Sequence, residues 1–201
     1  MIQNIWCVGR NYAEHAKELG NEIPTEPLIF LKAGSTATLS QKDLYLPSWI
    51  EEVHHEVELG LQFDKNLQIS HGCIALDLTD RAKQSSLKAK GQPWTLAKSF
   101  KQACPLSPFF PVKEIEELKN LDISLKIQGE LRQQGNTRQF IFSLEQLLDF
   151  VRQQFPVMPG DLLLTGTPAG VGPIKKGDVL EAEIQGKMKH TWTAQGMTEK
   201  A

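Results

Sequence analysis

Cysteine is scarce in this chain. Cys7, Cys73 and Cys104 are odd in number, widely spaced and free of any C-x-x-C pairing, which argues against a disulfide framework or thiolate zinc site and fits a reducing compartment. No apolar run approaches the roughly 20 residues needed to span a bilayer. The opening Met-Ile-Gln-Asn-Ile-Trp-Cys lacks a basic region leading into an apolar core, so the expected location is cytoplasmic, with no membrane partner. Neither sign of charge dominates, with 22 Lys and Arg against 24 Asp and Glu and a net charge of −2. The densest basic cluster, 83–90, is diluted by Ser and Gln and has no interleaved aromatics, unlike a nucleic-acid surface. Several catalytic signatures are also missing. The Gly-rich stretch 166–172 lacks the Gly-Lys-Ser/Thr ending of a nucleotide loop, His55-Glu56 lacks the second histidine of H-E-x-x-H, and no G-x-S-x-G occurs. Repeats, low-complexity segments and linkers are absent too, so the 201 residues are expected to form a single domain.

What the chain does contain is mostly strand pattern. Val57, Leu59, Leu61 and Phe63 alternate with Glu58, Gly60 and Gln62, a period of two that predicts a half-buried strand over 56–63. Short strands are expected at 5–8, 28–31 and 162–164. Leu121 to Ile127 alternates in the same way, and Gln128-Gly129 turns it into a partner at 130–133. Strand 179–184 should return through Gln185-Gly186 into 187–193. Helices are few. Ser143-Leu144-Glu145-Gln146 opens one with apolar residues at 144, 147, 148 and 151, closed by Pro156. Another should start with Asn11 as N-cap and Glu14 in capping-box position, fading near Gly20. The fold class is α+β, built on a mostly β core.

Glu56 and Glu58 are two apart on one strand and so face the same way. Their repulsion would be relieved by a cation, and their hard oxygens suit Mg²⁺, Mn²⁺ or Ca²⁺. On spacing alone, a solvated strand face is the simpler reading. Asp77 ends the apolar run 73–76, either as a third ligand or as a turn or N-cap aspartate. His15 and Glu18 are three apart on the first helix, where they form either a base and its orienting carboxylate or an incidental surface pair.

Taken in order, the segments resemble the fumarylacetoacetate hydrolase family, in particular its small acylpyruvase and oxaloacetate decarboxylase-like members. The matching stretches are Cys7-Val8-Gly9-Arg10-Asn11-Tyr12 with His15 and Glu18, Phe30-Leu31-Lys32, and His54-His55-Glu56-Val57-Glu58-Leu59-Gly60. Leu76-Asp77-Leu78-Thr79, Trp94-Thr95-Leu96-Ala97-Lys98-Ser99-Phe100, Gln128-Gly129-Glu130-Leu131, Ile141-Phe142-Ser143, Gly160-Asp161 and Leu164-Thr165-Gly166-Thr167-Pro168, with Gly170-Val171-Gly172-Pro173, complete the set. The resemblance implies a rolled mixed β-sandwich, usually a homodimer, in which Glu56, Glu58 and Asp77 hold Mg²⁺ or Mn²⁺. It implies that His15 and Glu18 form a catalytic dyad on a lid over 11–25, that Lys98 supports developing negative charge, and that Arg10, Gln84 and Thr167 place a small 2-oxo acid. The implied chemistry is C–C cleavage through a stabilised enolate, either acylpyruvate hydrolysis or oxaloacetate decarboxylation. Isomerisation, tautomerisation or hydration of unsaturated 2-oxo acids, and a non-catalytic metabolite-binding relative, are the alternatives. Three departures stand out: a shortened connection between Phe63 and Cys73, Ala33 in place of the usual proline, and Thr79-Asp80-Arg81-Ala82 with its acidic residue moved.

Overall fold

Three sheets account for the strands of the computed structural model, which describes residues 1–18 and 23–196. The largest runs Leu28–Ala33, Asn4–Gly9, Leu162–Leu164, Val57–Phe63, Ile69–Leu76, Cys104–Leu106 and Ala37–Leu39, with Phe110–Pro111 paired to Ile69–Leu76. Parallel and antiparallel pairings mix within it: Asn4–Gly9 runs parallel to Leu162–Leu164, which runs antiparallel to Val57–Phe63. A five-stranded sheet orders Glu130–Asn136, Asp122–Ile127, Val179–Ile184, Met188–Gly196 and Asp43–Leu46, and a small one joins Gly172–Pro173, Val53–His55 and Thr79–Asp80. The expected α+β, mostly β architecture of packed, curled sheets is what forms. No helix among the described residues is long and apolar enough to cross a membrane.

Strand Val57–Phe63 departs from expectation. It is buried on both faces, whereas its alternation predicted one face in water. One face packs Val57, Leu59, Leu61 and Phe63 into the main core, and the other meets a second apolar cluster containing Cys73 and Leu164. Gly60 is required there, since a Cβ would stand 2.7 Å from the Cys73 sulfur. The strand also begins one residue later than expected, because Glu56 breaks the run between Val53–His55 and Val57–Phe63.

The shortened connection after Phe63 closes as a tight hairpin. Asp64 Oδ1 accepts from the backbone N–H of Asn66 and of Gln68, both at 2.8 Å, and Asp64 N–H donates to Gln68 O. The ladder then pairs Val57 with Leu76 and Glu58 with Ala75. At its end Asp77 N–H donates to Glu56 O at 2.9 Å, so two acidic residues face each other across neighbouring strands.

The amphipathic helix forms at Leu144–Gln154, with the Ser143–Gln146 capping box in place. The first helix spans Ala13–Glu18, so Asn11 lies too early to cap it. Its side chain instead ties distant segments together, donating to Thr165 O at 2.9 Å and accepting from Phe142 N–H at 2.9 Å. Residues 19–22 of the expected lid over 11–25 lie outside the described residues.

Candidate active site

The ladder end that brings Glu56 and Asp77 together also aims Glu58 at them. One carboxylate oxygen from each of the three lies within 4.8 Å of the others, and all three side chains are buried. Glu58 Oε2 accepts from Gly166 N–H at 2.7 Å. Burial, and then the charges of Asp77 and Glu56, raise the Glu58 carboxyl well above the usual range. Burial opposes ionisation of Glu56 as well, but the Lys98 and Arg81 cations outweigh it and hold that carboxyl far below its ordinary value.

Three cations interleave with the carboxylates. Lys98, at the end of helix Thr95–Lys98, donates to Glu56 Oε2 at 2.8 Å and to Asp77 Oδ2 at 2.6 Å. Arg81 donates to Glu56 Oε1 through Nη2 and to Gln84 Oε1 through Nη1. Lys32 is fully buried; its Nζ donates to the carbonyls of Leu78, Lys98 and Ala103, and lies 2.8 Å from Asp77 Oδ1. That contact meets the ion-pair distance without hydrogen-bond alignment, so Asp77 Oδ1 keeps an unused lone pair. The donor set therefore fits a hard divalent cation. It consists only of oxygen, it contains an orphaned acceptor, and its Glu58 carboxyl is uncomfortable as an anion until more positive charge arrives.

His15 is buried, and its Nδ1 lies 3.0 Å from Glu18 Oε2. A carboxylate can only accept, so Nδ1 carries a proton and Nε2 is the nitrogen left to exchange one. The other Glu18 oxygen, Oε1, accepts from Gly170 N–H at 3.0 Å. Arg10, His15, Glu56, Glu58, Asp77, Gln84, Lys98 and Thr167 all line one cavity, so every sequence-nominated residue except Glu18 is on its wall, and Glu18 touches it through His15. Thr167 donates its hydroxyl hydrogen to Val57 O at 2.8 Å, so that proton is already committed. Asp77 is not the N-cap of the next helix; Asp80 is, accepting from Lys83 N–H at 2.9 Å. The moved acidic residue of the sequence thus starts the helix Arg81–Ala89. Ala33 has its own use, since its N–H donates to Ser99 Oγ, a bond proline could not make.

Three groups escaped the sequence. Lys32 carries no charge pattern around it. Gln133 is recognisable only in three dimensions: Oε1 accepts from His55 Nδ1 at 2.8 Å and Val57 N–H at 3.0 Å, while Nε2 donates to Thr167 Oγ1 at 2.8 Å and Pro168 O at 2.9 Å. Lys88 was legible in principle, because Arg81, Gln84 and Lys88 are spaced i, i+3, i+7 on one helix face.

The family model of the fumarylacetoacetate (FAA) hydrolase C-terminal domain matches residues 4–193. A mitochondrial oxaloacetate decarboxylase of Dictyostelium discoideum is 42% identical over 195 residues, covering 92% of this chain and 89% of that protein. A mitochondrial oxaloacetate tautomerase of Mus musculus is 42% identical over 194 residues, covering 92% and 88%. Among solved structures, the fumarylpyruvate hydrolase of Pseudomonas aeruginosa in complex with Mn²⁺ and pyruvate superposes with a TM-score of 0.91 at 28% identity, covering 98% of this chain and 91% of that one.

Proposed function

The chain belongs to the fumarylacetoacetate hydrolase family, and from that premise we propose that it is a divalent-metal enzyme that makes and quenches enolates of small 2-oxo acids, oxaloacetate first among them. The observation that carries this reading is the gathering of three buried carboxylates, with an unused acceptor, in the same cavity as the His15–Glu18 pair. Held by Glu56, Glu58 and Asp77, Mg²⁺ or Mn²⁺ would supply Lewis-acid polarisation of the oxygens of a 2-oxo acid.

The residues themselves divide the remaining work. His15 Nε2 takes a proton from the carbon beside the keto group, or returns one to it, and Glu18 keeps the imidazole in the required tautomer. Lys98, charged and buried, supplies fixed positive potential in a place where water cannot screen it. In oxaloacetate decarboxylation the C–C electron pair stays on the pyruvate fragment as CO₂ leaves, and His15 passes to carbon a proton that Nε2 takes up from water. In tautomerisation the same proton shuttles with no bond to carbon dioxide broken, as the similarity to the murine tautomerase favours. Acylpyruvate cleavage would need His15 to take its proton from water instead.

A time course by proton NMR on oxaloacetate and acetylpyruvate, with Mg²⁺, Mn²⁺ or chelator, tests the proposal and separates the outcomes. Metal-dependent conversion that disappears in Glu58→Gln is expected. Conversion indifferent to chelator and to that substitution would overturn it.

A further inference from the structure

The charges of the cavity do not balance at one side. Glu56 and Asp77 are matched by Lys98, Arg81 and Lys32 through the contacts described above. Arg10 and Lys88 also line the cavity, yet neither side chain makes a hydrogen bond or ion pair among the described residues. Arg10 Nε is buried without a partner, and its backbone sits at φ +60°, a conformation that costs energy for a residue with a Cβ. Lys88 holds its ammonium 5.0 Å from the centre of the Trp94 ring, and Trp94 leans on Phe30 at 5.6 Å. An aromatic face steadies an ammonium without neutralising it.

We infer that Lys88, steadied by Trp94 and sharing the cavity wall with Arg10, receives a second carboxylate of the substrate and so selects 2-oxo dicarboxylic acids over 2-oxo acids with a neutral tail. The inference rests on the proposed 2-oxo acid chemistry and adds its specificity determinant. A 2-oxo acid uses its carboxylate and keto oxygen at the acidic cluster. Two cations then remain without anions in a partly desolvated wall, where an unpaired charge is costly and an arriving anion relieves the cost. The Lys88 ammonium shows the strain: burial, and then the charges of Arg10, Arg81 and Lys98, lower its pKa to about 8.

Binding of malate and lactate, the 2-hydroxy analogues of a 2-oxo dicarboxylate and monocarboxylate, tests this by calorimetry on Mn²⁺-loaded protein. Wild type should prefer malate by about 10- to 100-fold, the range of one charge-assisted hydrogen bond. Lys88→Met should erase the preference through loss of malate affinity, and Lys88→Arg should restore most of it. Equal losses for both ligands, no loss, or no malate preference in wild type would overturn the inference. Lys88→Gln serves as a second variant if the methionine form is poorly folded. Selective malate binding in a protein that converts no 2-oxo acid would refute the proposed function and leave the subsite standing. Conversion of oxaloacetate and acetylpyruvate in a ratio unchanged by Lys88→Met would do the reverse.

Discussion

Gln133→Leu should cost far more stability than a single surface-strand substitution, and the structure sets the size. The leucine is close in volume, so little packing is lost, but four hydrogen bonds disappear. Thr167 Oγ1 keeps its bond to Val57 O. His55, whose pKa burial lowers, can carry its proton on Nε2 instead, since the ring also borders a separate cavity beside Gly172. Val57 N–H and Pro168 O have no such escape. Each buried group left unsatisfied costs about 1–3 kcal/mol, so the loss should be about 2–4 kcal/mol after partial relaxation. At 2–4 °C per kcal/mol for a chain of this size, the melting temperature should fall by about 4–16 °C. Urea unfolding followed by fluorescence, with unchanged slope, measures it directly. Turnover should fall too, because Gln133 joins the strand that follows Glu56 to the loop carrying Thr167. A loss below about 1 kcal/mol would refute the reasoning, and would mean that water reaches these groups.

Other outcomes follow from the same geometry. Mn²⁺ at about 100 times its Kd should stabilise the chelator-treated protein by about 2.7 kcal/mol, a rise of about 5–11 °C in scanning calorimetry, and Glu58→Gln should lose most of that rise. With oxaloacetate, kcat/KM should decline as pH rises through about 8. The sign follows from Lys88 losing the charge that binds the second carboxylate, among neighbours Arg10, Arg81, Lys98 and Glu56; acetylpyruvate should not show this limb, and Lys88→Arg should flatten it. Asp161→Ala should destabilise by about 2–5 kcal/mol, because each buried donor left unsatisfied costs about 1–3 kcal/mol and some will relax. Its fully buried carboxylate accepts from Trp6 Nε1, Met158 N–H and the backbone and side chain of Asn4, and thermal denaturation would show the loss.

Much of the fold was legible because its signals are local. The alternation of 121–127, the Gln128-Gly129 turn and the Ser143–Gln146 capping box each lie within a few residues, and each formed. The two-sided burial of Val57–Phe63 was not legible, because the second covering layer comes from residues far along the chain. Asn11 failed for a related reason. An asparagine before a helix reads as a cap, yet its partners stand 131 and 154 residues away. The acidic cluster was nominated by spacing and by family resemblance together, and the short hairpin at 64–68 lies at the far end of the ladder from Asp77, which pairs with Glu56 at the other end. Gln133 and Lys32 are polar residues on otherwise ordinary strands, and only long-range partners reveal their use.

The single carboxylate of Glu18 bridges His15 and the Gly170 loop. The same carboxylate therefore ties the helix Ala13–Glu18 to the loop that carries Thr167, beside the cavity that a small acid would enter. If the helix Ala13–Glu18 swings away to admit one, Glu18 leaves Gly170 and the imidazole leaves the carboxylates in the same motion. Arming the base and sealing the chamber are then one event rather than two.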